Sequence, residues 1–498
     1  MTTENATIPK NPRALWAAGG AKASAAPRAS LRLTAPERKW LLLGWDLVLV
    51  NGALLGAAVM WNEFAIGGFA IAAHLKWFIT LTVLWFIIGT VLDLYNLARA
   101  ASTSAIIANA GSAALATTLI YLAIPWLTPP ILRRSYAFGL VALATASIVA
   151  WRVFYAKALV HPVFRQHGLV VGSPSADLDL ALAIQQAGQN QEGNPYKGTG
   201  YEIIGRVAEE GGDDGPSGIP LLGDMRKLVR LARQSSVDEI ILTQGAERTL
   251  SREGREVLLD CREVGLQISS LASVYERLTG RLPVDHATYD VQLLLSPADD
   301  PSARLYTAAK RGMDIALSLL GLLVLGLIAP FVAIANAIWS PGPLLYRQQR
   351  IGKGGRPFTV IKLRSMIVDA ERCSGAVWCG KGDPRITRIG RLLRKSRLDE
   401  LPQVINVLKG EMSIVGPRPE RPHFVGRLAR DLPLYRARHA VKPGLTGWAQ
   451  VHLEYGDSAE DARAKLEYDL YYVKHACLYL DLLTMLHTVR VVIGLKGQ

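Results

Sequence analysis

Residues 313–339 read MDIALSLLGLLVLGLIAPFVAIANAIW. A run of about 27 mostly apolar residues is long enough for a helix to cross the ~30 Å hydrocarbon core of a bilayer. Its flanks disagree with a simple crossing. Arg304, Lys310 and Arg311 stand before it and Arg347, Arg350 and Lys353 after it, and the positive-inside bias puts both ends in the cytosol. Pro330 falls two thirds of the way along, where its ring removes a backbone hydrogen bond and clashes with the preceding turn. The sequence therefore predicts a re-entrant helix over about 313–339, bent at Ala329-Pro330, that enters and leaves one leaflet.

Upstream, four further apolar stretches cover residues 41–60, 77–94, 105–127 and 136–159. Each approaches the ~20 residues a spanning helix needs. Four crossings return the chain to its starting side, and Arg32, Arg38 and Lys39 before them match Arg152, Lys157 and Arg165 after them. Both ends are expected in the cytosol; Arg133 and Arg134 in the third loop work against that orientation. Asp46 and Asp93 lie inside or at the edge of these stretches, where a charge is costly and marks either function or hydrogen bonding between helices.

The bulk numbers agree with a membrane protein carrying soluble parts. Half of the 498 residues are hydrophobic and 20% are charged, with the charges concentrated outside the apolar runs. A net charge of +14 fits anionic lipid or phosphorylated substrates, and no zinc-finger, RNP or homeodomain pattern supports nucleic acid. Cys261, Cys373, Cys379 and Cys477 fit no metal spacing and read as structural thiols. Residues 1–39 are polar and basic without a signal-peptide core, and read as a disordered cytosolic arm.

Over 161–282 the texture changes. Short β-rich runs at 167–171, 201–207, 219–222, 238–242 and 266–270 alternate with helical stretches, predicting a small Rossmann-like α/β domain with a mainly parallel sheet. The turn after the first run, VGSPSA over 171–176, lacks the second and third glycines that bring a backbone close to a pyrophosphate. A scaffold or regulatory role, with a dimer contact as one form of it, is favoured over a cofactor site. The stretches 189–200 and 211–215 read as mobile loops, and 283–304 as a linker.

The last region, 305–498, carries the chemistry. Residues 389–403 read IGRLLRKSRLDELPQ. A proline fits only the first turn of a helix, so Pro402 implies that Asp399 and Glu400 open one. Carboxylates there are stabilised by the helix dipole, and Arg388, Arg391, Arg394, Lys395 and Arg397 precede them. Acids among cations suit a diphosphate held with Mg²⁺. The ordinary meaning of a lone Asp-Glu pair is a helix cap among solvated arginines.

Further runs set this pair in context: KLRSM at 362–366, DPR at 383–385, GEMSIVGPRP at 410–419 and KPGLTGWAQ at 442–450. Together these motifs resemble the bacterial sugar transferases, monotopic polyprenyl-phosphate hexose-1-phosphate transferases. The resemblance covers the chain from about Tyr306 onward. The four-helix front and α/β domain resemble the large, exopolysaccharide-initiating members more loosely.

The resemblance implies a mostly helical cytosolic catalytic domain in the bacterial cytoplasmic membrane, acting on a UDP-sugar and undecaprenyl phosphate. Asp399 would be the nucleophile and Glu400 its partner, both able to hold Mg²⁺. Arg394 and Arg418 would grip phosphate oxygens, with Lys362, Arg364 and Arg385 as further substrate contacts. Family members commonly carry Ser-Pro at the membrane bend, where this chain has Ala329-Pro330. Glucose or galactose is the expected sugar, with an N-acetylated sugar as the alternative. The rival from another class is a membrane-anchored regulator that binds nucleotide-sugars or lipid without chemistry. Residues 459–475 and 478–495 are read as helices either lying in the interface or packing on the core.

Overall fold

The computed structural model describes residues 35–60, 74–95, 103–124, 126–128, 134–159, 166–172, 201–208, 219–243, 250–284, 301–368, 383–453 and 459–493, with a few single positions between them. The arm before residue 35, both expected mobile loops, most of the linker, Cys373 and Cys379 lie outside the described residues.

The front is four apolar helices: α1 (Ala35–Met60), α2 (Leu75–Val91), α3 (Thr103–Leu122) and α4 (Arg134–Phe154). The α1 and α4 spans are long and apolar enough to cross a membrane, whereas α2 and the apolar part of α3 are shorter. Helix α2, with 17 residues, reaches only about 26 Å. It stops where Asp93 takes a left-handed backbone, φ 59°.

The four helices pack through small and aromatic residues, among them Ala57, Ala113, Ala114, Trp85 and Tyr121. Asp46 of α1 is buried against Arg152 of α4, whose Nη1 also donates to the Leu94 carbonyl at 2.8 Å. Asp46 thus serves as a bond between helices. Asp93 pairs with Arg490 near the C-terminus at 3.2 Å.

The next region is a five-stranded, all-parallel sheet in the order β3-β2-β1-β4-β5. Its strands are β1 (Gln166–Val171), β2 (Tyr201–Ala208), β3 (Leu221–Asp224), β4 (Glu239–Leu242) and β5 (Gln267–Ser270). They begin and end within two residues of the sequence reading. Helices α5 (Leu228–Gln234), α6 (Arg252–Glu263) and α7 (Leu271–Thr279) accompany it. Both faces are covered, one core holding Leu169, Val171, Ile240 and Leu242 and the other Val170, Ile203 and Ile241, as a parallel sheet requires.

Gly172, the one glycine of the expected nucleotide turn, has φ 120°, and a Cβ on it would lie 2.1 Å from Thr243 Oγ1. Close packing between β1 and the end of β4 accounts for that glycine without any ligand.

Helix α8 (Pro301–Trp339) is 39 residues long and continues through Pro330. It starts inside the stretch expected as linker. It is the third helix able to cross a membrane by length and composition, and only 11% of its apolar window is buried. Leu319, Leu323, Leu327, Phe331, Ile334 and Ile338 are all exposed. These three apolar helices mark a membrane protein.

After α8 come the antiparallel hairpin β6 (Leu345–Ile351) and β7 (Pro357–Leu363), α9 (Arg388–Lys395), α10 (Val404–Lys409), and a short parallel pair, β8 (Ser413–Val415) with β9 (Gly444–Thr446). Helices α11 (Pro422–Asp431), α12 (Trp448–His452), α13 (Ala459–His475) and α14 (Leu478–Ile493) complete the chain.

For α13 and α14 the packing reading holds on their buried faces. Leu466 and Leu470 join Tyr435 in one core, and Tyr472 and Leu480 join Val415 in another. Asp481 of α14 is fully buried and accepts from Tyr472 Oη at 2.6 Å, Lys310 Nζ at 2.9 Å and Tyr306 Oη at 3.0 Å.

Breaking one side of a buried ion pair leaves an uncompensated charge, a loss of about 3–5 kcal/mol. Asp46→Ala is expected to lower the unfolding midpoint in lipid nanodiscs sharply, and adding Arg152→Leu to recover most of it. An equal loss in the single and double variants would show that the pair does not hold the front together.

Candidate active site

Asp399 and Glu400 sit on a 3₁₀ turn, Leu398–Gln403, that feeds directly into α10, with Pro402 in the opening turn as the sequence predicts. Arg397, just before the acids, adopts φ 61°, so the chain reverses sharply between α9 and the pair. Both carboxylates are buried.

Glu400 is surrounded by cations. Arg418 Nη2 donates to Oε1 at 2.6 Å and Nη1 to Oε2 at 3.2 Å, a two-pronged contact. Lys362 Nζ donates to Oε1 at 2.8 Å, and Arg397 Nη1 stands 3.9 Å from Oε2. Asp399 differs: its Oδ1 is buried with no hydrogen-bond partner. Two adjacent acids thus occupy opposite situations, one held on both oxygens and one with an oxygen left over.

Their ionisation diverges accordingly. Burial, and then the charge of Glu400, pushes Asp399 up to about 6 against the pull of Lys362, Arg394 and Arg418. Burial also opposes ionisation of Glu400, but Arg418 and Lys362 outweigh it and hold its carboxyl well below the usual range. Neighbouring acids pushed apart in this way take different roles.

Each contact is built by its own element. Asn406 of α10 fixes β7, accepting from the Ile361 amide at 3.3 Å and donating to the Thr359 carbonyl at 2.8 Å; Lys362 follows one residue on. Thr387 caps α9 by accepting from the Gly390 amide at 3.0 Å, and α9 carries Arg394. Helix α8 supports the acid turn from below. A Cβ on Gly321 would lie 2.8 Å from Val404 Cγ1, so a side chain there would force the two helices to shift.

Sequence reasoning passed over Asn406, although a polar residue inside the apolar run Val404–Leu408 was a signal. It also passed over Arg311 and Asp314. Arg311 donates to the Val407 and Leu408 carbonyls, both at 2.7 Å, at the C-terminal end of α10. Asp314 accepts from Ser413 Oγ at 3.0 Å and the Ile414 amide at 2.9 Å.

Of the expected site residues, the structure brings together Asp399, Glu400, Lys362, Arg394 and Arg418. Arg364 and Arg385 have other contacts. Arg364 is buried and caps the end of α8, donating to Asn336 Oδ1 at 2.8 Å and to the Ser340 carbonyl. Arg385 donates through Nε to Asp383 at 2.9 Å. Both are expected at the substrate from the resemblance of their motifs, and in this structure their guanidinium groups close a helix end and stiffen a loop. Ala329 and Pro330 lie within α8, away from these carboxylate contacts.

A divalent cation can be tested against this geometry. Among the described residues no group of three or more His, Cys, Asp or Glu could hold a metal. Mg²⁺ does not need one, since it keeps waters and binds through one or two carboxylates plus substrate phosphates. The unpartnered Asp399 Oδ1 fits that mode. Glu400 can contribute only by loosening its contacts to the cations.

A buried acid pair among four cations, beside a long apolar helix, has the charge pattern to hold phosphate groups. Residues 305–495 match the model of the family described as bacterial sugar transferase. A UDP-glucose:undecaprenyl-phosphate glucose-1-phosphate transferase of Xanthomonas campestris pv. campestris is 32% identical over 374 residues, 72% of each chain.

A UDP-N-acetylgalactosamine-undecaprenyl-phosphate N-acetylgalactosaminephosphotransferase of Aeromonas hydrophila is 39% identical over 244 residues. That match spans 49% of this chain and 56% of the relative. The exopolysaccharide production protein PSS of Rhizobium leguminosarum bv. phaseoli is 44% identical over 188 residues, 36% of this chain and 92% of that one. The chain belongs to the bacterial sugar transferase family.

The Asp399 value also bears on stability. Its folded value, about 6, lies above the ordinary 3.8, so the stability linked to its proton is fully present below 3.8 and lost as pH rises through about 6. Asp399→Asn keeps the volume and removes the charge. It is expected to raise the melting temperature at pH 8 and to change it little at pH 4. A pH-independent effect would refute the burial of an ionising Asp399.

Proposed function

We propose that this protein transfers a sugar-1-phosphate from a UDP-sugar to undecaprenyl phosphate, starting the assembly of a lipid-linked polysaccharide. The observation that carries this reading is the unpartnered, buried Asp399 Oδ1 beside a Glu400 locked by Arg418 and Lys362. A carboxylate with a free oxygen next to phosphate-gripping cations is an activated nucleophile.

In the first step an Asp399 oxygen attacks the sugar-bearing phosphorus. The bond from that phosphorus to the bridging oxygen breaks, and UMP leaves with the electron pair. In the second step a phosphate oxygen of undecaprenyl phosphate attacks the same phosphorus, and the aspartyl oxygen–phosphorus bond breaks to restore the carboxylate. Arg394, Arg397 and Arg418 hold phosphate oxygens and stabilise the charge that builds at phosphorus. Glu400 holds Arg418 and Lys362 in place. Asp399 and Glu400 would hold Mg²⁺, which would neutralise the diphosphate and its leaving oxygen.

Position in the membrane supports the same reading. Arg311 near the start of α8 binds α10, and Arg364 of the segment after β7 binds its end. Ile328, Val332 and Ala335 of α8 also pack with Ile389 and Leu393 of α9. One soluble region is therefore attached along the helix at both ends, which favours α8 dipping into a single leaflet. If the shorter α2 and α3 cross together with α1 and α4, the catalytic region would face the cytosol at the cytoplasmic membrane. Relatives named for glucose and for N-acetylgalactosamine leave the sugar to a donor panel; a neutral hexose is our reading.

Protein in nanodiscs, given UDP-sugars, Mg²⁺ and undecaprenyl phosphate, is expected to release UMP with one donor, and Asp399→Asn to release none. The rate is expected to fall about tenfold per pH unit below 6, as Asp399 takes up its proton. Excess EDTA is expected to stop turnover. UMP release by Asp399→Asn at the wild-type rate would remove the nucleophile. Binding of a UDP-sugar with no UMP release would favour the non-catalytic regulator.

A further inference from the structure

Arg418 has to present its guanidinium to Glu400, yet it sits between Pro417 and Pro419, neither of which can donate a backbone hydrogen bond. The turn it occupies is held through three successive carbonyls. Pro417 accepts from the Gly444 amide at 2.9 Å, Arg418 from Arg438 Nη2 at 2.9 Å, and Pro419 from Arg350 Nη1 at 3.0 Å. The middle bond fixes the residue that carries the functional side chain.

Arg438 is buried, and both of its terminal nitrogens are engaged. The same Nη2 that reaches the Arg418 carbonyl donates to Asp469 Oδ2 at 2.6 Å, and Nη1 donates to Tyr435 Oη at 2.8 Å. Asp469 lies on α13, 2% exposed, 31 residues from Arg438 and 69 from Glu400. A buried carboxylate opposite a buried guanidinium is a costly arrangement for stability alone, since apolar residues of similar volume commonly serve as well. Here the pair holds the backbone that carries Arg418.

We infer that Asp469 is a positioning residue for the transfer reaction, acting through Arg438 on the Arg418 backbone and so on the grip of Arg418 on Glu400. The inference rests on the proposed transferase reading for its kinetic consequence. Its structural content is independent of any reaction: Asp469 and Arg418 are energetically coupled through Arg438.

The test is a double-mutant cycle of Asp469→Asn and Arg418→Ala, read two ways in nanodiscs. Asp469→Asn alone is expected to lower kcat by roughly 10–100-fold, the scale of a displaced catalytic group, with KM for the UDP-sugar changing less. Asp469→Glu, which keeps the charge, is expected to recover part of that loss. In the Arg418→Ala background, Asp469→Asn is expected to cost little further kcat. The melting temperatures of the four proteins, with no substrate present, are expected to be non-additive as well.

Additive losses of kcat would overturn the inference, even with coupled melting temperatures, because they would leave Asp469 a structural residue only. Where the wild type releases no UMP with any donor, the melting-temperature cycle decides by itself. Coupling there keeps the Asp469–Arg438–Arg418 connection and discards the transferase reading, and additivity discards the connection.

Discussion

The two-pronged contact between Arg418 and Glu400 is the constraint around which the C-terminal region is arranged. Burying a carboxylate is unfavourable unless its oxygens are satisfied, and Glu400 meets that demand with cations from β7, from the turn before α10 and from the Pro417–Pro419 turn. These come from segments distant in sequence, so Glu400 can be buried as an anion only when the whole region is folded. Because Glu400 absorbs so much positive charge, Asp399 beside it keeps a buried oxygen without a hydrogen bond. Adjacency, which would set two equivalent acids against each other, instead separates their protonation.

Much of this architecture could be read from the chain because it rests on periodicity and on residues with restricted backbones. Five parallel strands followed from short β-branched runs, and the opening of α10 followed from Pro402, which tolerates only a first turn. The acid pair, and Lys362, Arg394 and Arg418 that stand around it, also came from motif context. What could not be read was pairing. Arg364 and Arg385 have the same composition signal as Lys362 and Arg418, and only folding decides which cation reaches an acid and which closes a helix.

The membrane part shows the same division. Length and hydropathy located four apolar helices at the front, but the left-handed turn at Asp93 that shortens α2 has no signature in a hydropathy profile. The partner of Asp46 lay more than a hundred residues away, in the last of the four helices. Tertiary ion pairs of this kind, like Arg490 with Asp93, join regions that the sequence presents as separate.

Helix α8 is gripped at three levels: by Arg311 on α10, by Gly321 against Val404, and by Arg364 at its end. Each residue of an α-helix adds about 1.5 Å and 100°, so these grips make α8 a ruler with a fixed phase. A single inserted residue between Gly321 and Asn336 would swing the far grip around the axis and lift it away from its partner. An insertion of seven residues, about two whole turns, would restore the facing but lengthen the ruler by roughly 10 Å. The spacing between the acid pair and the end of α8 is thereby counted in residues of one helix.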